Sequence, residues 1–567
     1  MKKVLALILA LVMVFALAAC GGETEPTPTQ NPSSGTETQN PGTSTPEQSE
    51  EPQFEGVREV SVGVKADIKT WEPWGSFNIG RQNMAPIVYQ ALTCHIPNLV
   101  TGEMEEYFIL AESYERIEEG YYRIRLREGI KDTNGYDFTA DDAIFSFQTC
   151  IDLGVLAQVK PIAEMTKEDD LTFTMKLKRD TVGTFSDICD AINMVTQRSY
   201  EESPDKMATT PVGTSPMILS EYRTGSEAVF TKADSYWNAA ANESKDVSAG
   251  YCTMWDYTAI DKITYKFISD TTAMALALES GEIDIARAIS DEDVSLYDGN
   301  GYAVFGYPEG NYAISFNVSS NSPFQSYNLR MAVAYAIDAE GCLMAACDGD
   351  GEVATCWSYK TFTDYLDEWT GREYFNYNMD TAKDYLAKWE KETGKKASDL
   401  HLVLMYQNED IADSTAVAIQ NYVGTLTGNP NAVELVSYDR ATFTASKKDP
   451  TASDMVIVNG QLVTRSESCY NWNDVSNTKN NGYNIFHDDT GAIDEVLMPA
   501  ITIDTHNADT VRAFQQFIDD NCYLKNLFYA NEYGACADWI GNTEHATGAK
   551  SCLNLGALTY DWAQSGK

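Results

Sequence analysis

Short β patterns alternate with amphipathic helical patterns along most of this chain. Residues 60–64 and 171–177 have the composition and the alternation of strands in a half-buried sheet. Residues 328–339, 381–392 and 416–426 carry apolar side chains at helical spacing. Strands mixed with helices of this length predict an α/β protein, because bundles and β-sandwiches each use only one kind of element.

The N-terminus has the three-part layout of a secretory signal. Two lysines precede an aliphatic run over residues 4–16, and small residues then lead to Cys20. The run is shorter than the ~20 residues that a membrane span needs, so we expect residues 1–19 to be a cleaved signal peptide. A cysteine directly after Leu17-Ala18-Ala19 resembles the bacterial lipobox, whose thiol is diacylated; ordinary cleavage beside an incidental cysteine is the alternative. Two acyl chains make a stable anchor, which places the protein on the outer face of the cytoplasmic membrane, at a Gram-positive cell surface or in a periplasm.

Residues 20–55 are predicted to form a disordered tether behind this anchor. Gly, Pro, Ser, Thr, Gln and Glu make up nearly all of the stretch, and Phe54 is its only large apolar residue. Such a composition cannot bury enough surface to offset the entropy lost on ordering. Seven glutamates without a basic residue add self-repulsion, which extends the tether.

The rest of the chain is large and strongly acidic. About 510 of the 567 residues follow the tether, which suffices for about two to four domains. The formal net charge is −43, which argues against nucleic acid and anionic lipid headgroups as partners because both would be repelled. Twelve cysteines include Cys20, and the other eleven lack the tight spacing of a disulfide framework, so their pairing stays open.

Signatures of catalysis and of metal binding are missing from the sequence. The five histidines stand alone, and neither a G-x-S-x-G elbow nor a Walker loop occurs. The acidic run over residues 348–352 lacks the remaining ligands of a calcium loop. Cys342, Cys347 and Cys356 lack the histidine or C-x-x-C partner that zinc requires. We therefore expect a protein that is not an enzyme and that holds no metal or cofactor.

Several short segments together carry a family resemblance through their order and spacing. The segments are Val100–Glu103, Leu110–Glu115, Tyr122–Ile130, Asn134–Ser146, Pro211–Pro216, Tyr236–Trp237, Leu278–Asp284, Phe316–Asn317, Pro323–Phe324 and Leu329–Asp338. The set resembles the extracellular solute-binding proteins of the dipeptide/oligopeptide ABC importer family, also called family 5. Within the fourth segment, Thr139 is a good helix N-cap, and Asp141 and Asp142 suit the first helical turn.

The resemblance implies a two-lobed, type II periplasmic-binding-protein-like α/β fold with an extra subdomain inserted in the first lobe. In such proteins the lobes close on a small solute, which then passes to the permease of an ABC importer with cytoplasmic ATPases. A monomer is expected. The implied boundaries are 56–95, 211–307 and 531–567 for the first lobe, 96–210 for the inserted subdomain, and 308–530 for the second lobe.

In the first lobe, the resemblance implies that two segments face the ligand. The loop after the first strand contains Trp71, Trp74 and Phe77, whose rings could form a stacking platform for sugar or aromatic groups. Packing in the core of the hinge region is the alternative. Arg287 lies where family members pair their backbone with the ligand, and its guanidinium could clamp a carboxylate there. A solvated surface arginine is the alternative.

The second lobe is expected to supply most of the remaining lining, in particular Tyr406, Gln407, Arg440, Gln461, Thr464 and Tyr529. Peptide-binding members carry W-x-x-D-Y in the corresponding loop, and its Asp pairs with the free amine of the peptide. This chain instead has Gly460-Gln461-Leu462-Val463-Thr464-Arg465. An unpaired ammonium in a closed cleft costs several kcal/mol, and cations outnumber anions in the predicted lining. We therefore expect a ligand that does not depend on a free α-amine, either a blocked or acidic peptide or an oligosaccharide.

The sequence thus predicts a solute-binding lipoprotein that serves an ABC importer for peptide-sized organic solutes. An oligosaccharide-binding member of the same family, and a surface sensor or adhesive lipoprotein that reuses the fold, are the alternatives. The identity of the ligand and of the transporter stays open.

Overall fold

The computed structural model describes residues 54–75, 79–97, 104–178, 180, 184–238, 255, 257–290, 293–359, 365–461, 485–501, 508–546 and 553–567. The predicted signal peptide, Cys20 and the tether up to residue 53 lie outside the described residues. The described ranges belong to one unit, Phe54–Lys567. Among the helices that the structure describes, none has both the length and the hydropathy to cross a bilayer.

The strands and helices are numbered here in chain order. The strands are β1 Glu59–Val64, β2 Thr93–Pro97, β3 Met104–Phe108, β4 Ala111–Glu118, β5 Tyr121–Leu126, β6 Ile162–Lys167, β7 Thr172–Leu177, β8 Met217–Arg223, β9 Glu227–Lys232, β10 Lys262–Phe267, β11 Ile285–Ile289, β12 Tyr302–Phe316, β13 Gly351–Val353, β14 Leu402–Gln407, β15 Val433–Tyr438, β16 Met455–Gln461, β17 Leu524–Ala537, β18 Ile540–Gly541 and β19 Thr559–Tyr560. The helices are α1 Ile79–Val88, α2 Ala140–Leu153, α3 Thr184–Ala191, α4 Gln197–Glu202, α5 Thr271–Glu279, α6 Val294–Tyr297, α7 Tyr327–Ala336, α8 Ala339–Cys347, α9 Met379–Thr393, α10 Asp410–Thr427, α11 Arg440–Ser446, α12 Ala492–Ile501 and α13 Ala508–Asp520.

One eleven-stranded sheet organises the molecule, in the order β15-β14-β16-β12-β17-β11-β1-β10-β9-β8, with β13 paired to β17 beside this row. Toward one end, β1 pairs in parallel with β10 and β11. Toward the other end, β14 pairs in parallel with β15 and β16. The long strands β12 and β17 run antiparallel between these two groups. This mixed sheet with helical connections confirms the predicted α/β class.

Smaller sheets complete the architecture. One is antiparallel with the order β4-β5-β7-β6. Another is the β2–β3 hairpin, in which Thr93 lies opposite Phe108 and Pro97 lies opposite Met104. These strands coincide with much of the region expected to be an inserted subdomain, whose limits stay a prediction.

The predicted helices are present, and their ends follow local capping chemistry. The helix expected over 328–339 ends at Ala336, and Asp338 occupies the N-cap position of the next helix, α8. Helix α10 ends at Gly428, whose φ of 69° lies in the left-handed region that glycine tolerates. The predicted start of α2 is confirmed, since the amide and the hydroxyl of Thr139 both donate to the carboxylate of Asp142, at 2.8 and 2.9 Å.

Buried side chains form separate cores along the sheet. The largest combines β1, β5, β7 and β10 with residues 536–558, so the end of the chain packs on its first strand. Two further cores collect side chains between residues 312 and 530. The family segment before β11 has a structural role, because Asp284 accepts a hydrogen bond from the amide of Ser61 at 2.7 Å and pairs with Lys567.

Candidate functional site

The two groups of parallel strands end close to the crossing strand β17. Lys65 directly follows β1, and its Nζ lies 3.7 Å from Oε1 of Glu532 on β17. In α/β sheets, ligands bind beyond the carboxyl ends of parallel strands, where the loops leave a crevice. The residues that follow β1, β14 and β15 are therefore the candidate binding region.

Four charged side chains interact at these strand ends, and we call them the mixed-charge cluster: Lys65, Glu409, Arg440 and Glu532. Glu409 follows β14 and accepts a hydrogen bond from Nε2 of Gln407. Burial raises the pKa of Glu409, and the charge of Glu532 adds to the rise, whereas Arg440 and Lys65 oppose it. Carboxylates and cations from both ends of the sheet thus act on one another in this cluster.

A further cation lies close to Arg440 on α11. Burial lowers the pKa of Lys447 to about 8, and the positive charge of Arg440 adds to this effect. The Lys447 ammonium lies over the ring of Phe443, 4.6 Å from its centroid. Arg440 itself is exposed at the start of α11, where Asp439 caps the helix by accepting from the amides of the second and third following residues.

The ring of Trp71 packs in the core rather than facing a cleft. Its exposed fraction is 0%, and it makes edge-on contacts with Tyr222 and Phe230, both at 5.7 Å between ring centroids. Its carbonyl oxygen accepts a hydrogen bond from the hydroxyl of Tyr89 at 2.7 Å. With both faces covered, this ring offers no surface for stacking, so the core-packing alternative describes its position.

Trp74 is also buried, in contact with α2 and α4. Its ring contacts Phe145 and Tyr200, and its Nε1 donates to the carbonyl of Asn193 at 2.8 Å. Nδ2 of Asn193 donates back to the carbonyl of Pro73 at 2.9 Å. The two tryptophans therefore do not form the expected stacking platform in this conformation, and Phe77 lies outside the described residues.

Arg287 is buried in β11, with 7% of its surface exposed. The pairing of β11 with β17 is regular at Ala286 and slips before Ile289, so Arg287 sits within the irregular part of the ladder. Its burial excludes the alternative of a solvated surface arginine. A role in ligand binding stays a prediction.

Of the residues that were predicted to belong to the second lobe, Tyr406 and Gln407 lie together at the end of β14. Tyr406 is buried, and burial together with the charge of Asp413 raises its pKa. Gln407 is half-buried and contacts Glu409, which links it to the mixed-charge cluster. Arg440, the first residue of α11 after β15, belongs to the same cluster.

Tyr529 faces a different neighbourhood on β17. Its hydroxyl lies 2.8 Å from the carbonyl oxygen of Cys356 and 2.6 Å from that of Ser358, and its ring meets Tyr359 at 4.8 Å. It borders a cavity with residues of the 365–376 segment. The backbone of Gln461 pairs with Gly310 at the end of β16, while its side chain and Thr464 lie outside the described residues.

Sequence reasoning missed Lys65, Glu409 and Glu532. Glu409 lies two positions beyond Gln407, which was expected to line the site, so the end of the predicted strand was a usable signal. Glu532 stands inside a strand, and only the sheet order brings it to Lys65. No group of three or more His, Cys, Asp or Glu side chains suited to a metal ion occurs within the ranges that the structure describes.

A family comparison identifies the class of this protein. The family described as bacterial extracellular solute-binding proteins, family 5, middle domain, matches residues 108–482. The chain belongs to this family, as the sequence motifs indicated. The family is defined by the binding of solutes and not by a catalysed reaction.

Relatives with known roles match only part of the chain. The glutathione-binding protein GsiB of Escherichia coli (strain K12) is 26% identical over 306 residues, which cover 53% of this chain and 56% of that protein. Heme-binding protein A of Haemophilus influenzae is 25% identical over 293 residues, which cover 44% of this chain and 49% of that protein. The chain thus spans about half the length of the curated relatives that it matches.

Solved structures match nearly the whole fold. The ABC transporter substrate-binding protein CtaP from Listeria monocytogenes superposes with a TM-score of 0.71 at 21% identity, over 89% of this chain and 99% of that chain. The oligopeptide-binding protein AppA from Bacillus subtilis, in complex with a nonapeptide, gives 0.68 at 18% identity over 89% and 99%. NikA from Brucella suis, in complex with Fe(III)-EDTA, gives 0.71 at 18% identity over 89% and 100%. These likenesses confirm the predicted type II periplasmic-binding-protein-like fold.

Proposed function

We propose that this protein captures a peptide-sized organic solute outside the cytoplasmic membrane and presents it to the permease of an ABC importer. The observation that carries the proposal is the family 5 match over residues 108–482. A nonapeptide is bound by AppA, agropinic acid by AgaA and Fe(III)-EDTA by NikA, all of which share this fold. Membership of the family therefore supports solute capture. The chemical nature of the solute has to be inferred from the residues of this chain.

The mixed-charge cluster supports a ligand that carries both a cationic and an anionic group. The expectation of an excess of cations considered Arg287, Arg440 and Arg465. It did not consider Glu409 and Glu532. With Lys65, Glu409 and Glu532 included, the region offers positive and negative charges beside one another. A carboxylate whose pKa is already raised by burial gains from a ligand ammonium that compensates its charge. A peptide with free termini fits this pattern better than a neutral oligosaccharide does.

Closure of two lobes around the ligand would follow from contacts made to both ends of the sheet. Lys65 comes from the β1 end and Glu409 from the β14 end, so one ligand that replaces their mutual contacts would join the two groups of strands. A ligand shifts a conformational equilibrium only through its differential affinity for the two states.

A solute screen followed by calorimetry tests the proposal. We expect one or more peptides to raise the melting temperature, because a ligand that binds only the folded state stabilises it. Calorimetry then compares that peptide with its N-acetylated form, and we expect acetylation to weaken binding about tenfold or more through loss of a charge-assisted contact. In Glu409→Gln the penalty for acetylation should disappear, whereas Glu340→Gln, at an exposed position of α8, should keep it.

Two outcomes would contradict these proposals separately. If acetylation leaves the affinity unchanged in the wild type, the ligand does not depend on its amine, and the earlier expectation of a blocked or acidic ligand holds instead. If no peptide, oligosaccharide or metal complex raises the melting temperature, solute capture itself fails, and the surface sensor or adhesin alternative takes its place.

The membrane anchor is proposed on the sequence alone. We infer that Cys20 is lipidated, because it follows Leu17-Ala18-Ala19 behind an apolar run. Cys20→Ser should release the protein from the membrane fraction of the cell. Continued fractionation of this variant with membranes contradicts the anchor.

A further inference from the structure

A hydrogen-bonded chain of side chains joins helix α3 to the β2–β3 hairpin, and we call it the His95 cluster. Nδ1 of His95 lies 3.3 Å from Oδ2 of Asp190, and its Nε2 lies 3.0 Å from Oγ of Ser186. Ser186 Oγ also lies 3.2 Å from Oε1 of Glu106. The hydroxyl of Tyr114 donates to the other oxygen of Glu106 at 2.5 Å. His95 and Glu106 come from the hairpin, and Ser186 and Asp190 come from α3.

The Ser–His–Asp part of this cluster has the connectivity of a hydrolytic triad, but its charges oppose that chemistry. A nucleophilic serine must give its proton to the histidine and then carry developing negative charge. Here the Glu106 carboxylate already lies within hydrogen-bond distance of the same oxygen, and a second negative charge there is repelled. The geometry therefore favours a structural network over a nucleophile.

Proton positions follow from counting donors and acceptors. A carboxylate only accepts, so the Ser186 hydroxyl is the donor toward Glu106, and that hydroxyl has a single proton. Nε2 of His95 must then donate to Ser186, while Nδ1 donates to the Asp190 carboxylate. Only the imidazolium form of His95 carries both protons and satisfies all three contacts at once.

The charges around His95 agree with this form. Burial opposes the imidazolium and is the largest single effect, but the hydrogen bond to Asp190 and the charges of Asp190, Glu106 and Asp187 outweigh it and raise the pKa of His95. With 18% of its side chain exposed, His95 is largely shielded from solvent.

Two other titratable groups lie in the same network. Burial and the charges of Glu106 and Asp190 hold the pKa of the Cys189 thiol well above its usual range. Burial and the hydrogen bond to Glu106 do the same for the pKa of Tyr114. Both groups therefore stay neutral over the range in which His95 titrates.

Helix α3 connects this cluster to the loop after β1. Asn193, just beyond the helix, exchanges two hydrogen bonds with that loop, through Pro73 and Trp74 at 2.9 and 2.8 Å. The amide of Leu92, just before β2, donates to the carbonyl of Cys189 at 3.1 Å. Hydrogen bonds thus connect the end of α3 to the loop after β1.

We propose that the His95 cluster is a pH-responsive clamp, in which protonated His95 ties α3 to the β2–β3 hairpin and loss of the proton loosens both elements and the Pro73–Trp74 loop. Its effect on solute capture rests on the proposed function, whereas the clamp itself does not. The pKa of His95 is raised in the folded state. The stabilisation that protonated His95 provides is therefore fully present below the pKa of the unfolded chain, about 6.5, and is lost as the pH rises through the pKa of the folded protein.

Hydrogen exchange on the full chain without any solute tests the clamp. Protection factors of residues 93–97 and 184–191 are compared at about pH 5.5 and about pH 8.5, after correction for the intrinsic rates. We expect the protection factors to be lower at the higher pH. The expected decrease is tenfold for each pH unit by which the pKa of His95 in the folded protein, measured by NMR titration, exceeds about 6.5. Equal protection at both pH values overturns the proposal, whether or not a solute is later found.

Matched variants separate the clamp from general effects of pH. His95→Gln keeps a hydrogen-bonding side chain and should abolish the pH dependence, as should Glu106→Gln in part. His401→Gln, at an exposed histidine paired with Glu434 at 3.0 Å, should leave it unchanged. A fluorophosphonate probe is expected to leave Ser186 unmodified. Covalent labelling of Ser186 in the wild type, lost in His95→Gln, would show a working nucleophile and overturn the clamp.

Discussion

Lys525 offers a measurable link between pH and stability, because it is a cation placed inside the protein. It lies on β17 with 2% of its surface exposed. Its ammonium donates to the carbonyl of Phe375 at 2.9 Å and lies 5.4 Å from the ring centroid of Tyr374. Burial lowers the pKa of Lys525 to about 8, against weaker opposing effects from Cys522, Cys342 and Asp338. A lysine in the unfolded chain titrates near about 10.4.

The sign and size of the effect follow from these two pKa values. Between about pH 8 and about pH 10.4 the unfolded chain binds more protons than the folded one, so the free energy of unfolding rises with pH. At neutral pH the buried charge costs about 3 kcal/mol, and raising the pH from about 7 to about 9.5 recovers about 2 kcal/mol of it. Other groups titrate in the same range, so the comparison with a variant isolates this contribution.

Urea unfolding at about pH 7 and about pH 9.5 provides the assay. Lys525→Met leaves the carbonyl of Phe375 without its donor, which costs about 1–3 kcal/mol at both pH values. In the wild type, Lys525 adds about 2 kcal/mol to the free energy of unfolding when the pH rises from about 7 to about 9.5, and we expect this increment to be absent from the variant. Lys391→Met, at an exposed position of α9, should behave as the wild type. If Lys525→Met shows the wild-type dependence on pH, burial does not lower the pKa of Lys525 in the folded protein.

Three shorter tests probe the fold and its motion. Arg330 is buried and donates to three backbone carbonyls, so Arg330→Ala should lower the free energy of unfolding by roughly 3–5 kcal/mol, measured by urea titration. Arg512→Ala removes only exposed contacts to Glu368 and Asp509 and should leave the free energy of unfolding nearly unchanged, so an equal loss in the two variants would refute this account. A Cβ on Gly213 would lie 2.0 Å from the carbonyl oxygen of Val88, so Gly213→Ala should lower the free energy of unfolding by about 1–3 kcal/mol or more in thermal unfolding, and a neutral result would contradict the packing of this turn. Small-angle scattering should show a smaller radius of gyration with a confirmed solute, and an unchanged radius counts against closure.

The sequence motifs predicted the fold well because each has a local physical cause. Thr139 and Asp142 start a helix through bonds between neighbouring residues. Gly213 occurs where two backbone segments approach too closely for any side chain. Arg330, in the last of the family segments, holds backbone carbonyls that would otherwise be buried without donors. Each of these requirements fixes the residue type at one position, even where the partner is distant in sequence, and is therefore visible in a sequence.

The candidate site was harder to predict because its geometry depends on the whole sheet. A ring such as Trp71 suits a core and a binding cleft equally well, and only its neighbours across the fold distinguish the two. Glu409 and Glu532 are distant in sequence, and they come into range of Lys65 only because β17 lies between β12 and β11. The expected excess of cations in the lining considered arginines near predicted strand ends and left Glu409 and Glu532 out.

The order of strands in the large sheet also determines when this protein is able to fold. Strand β17 is made after β11 and β12, yet it lies between them, with β13 paired to it as well. Until residues 524–537 have emerged, β11 and β12 each keep an unpaired edge, and such edges invite pairing with other chains. Contacts over this sequence separation form slowly because long loops must close first. A chain truncated before residue 524 would leave both edges open permanently, so quality control by the cell should remove such fragments rather than let a half-sheet accumulate.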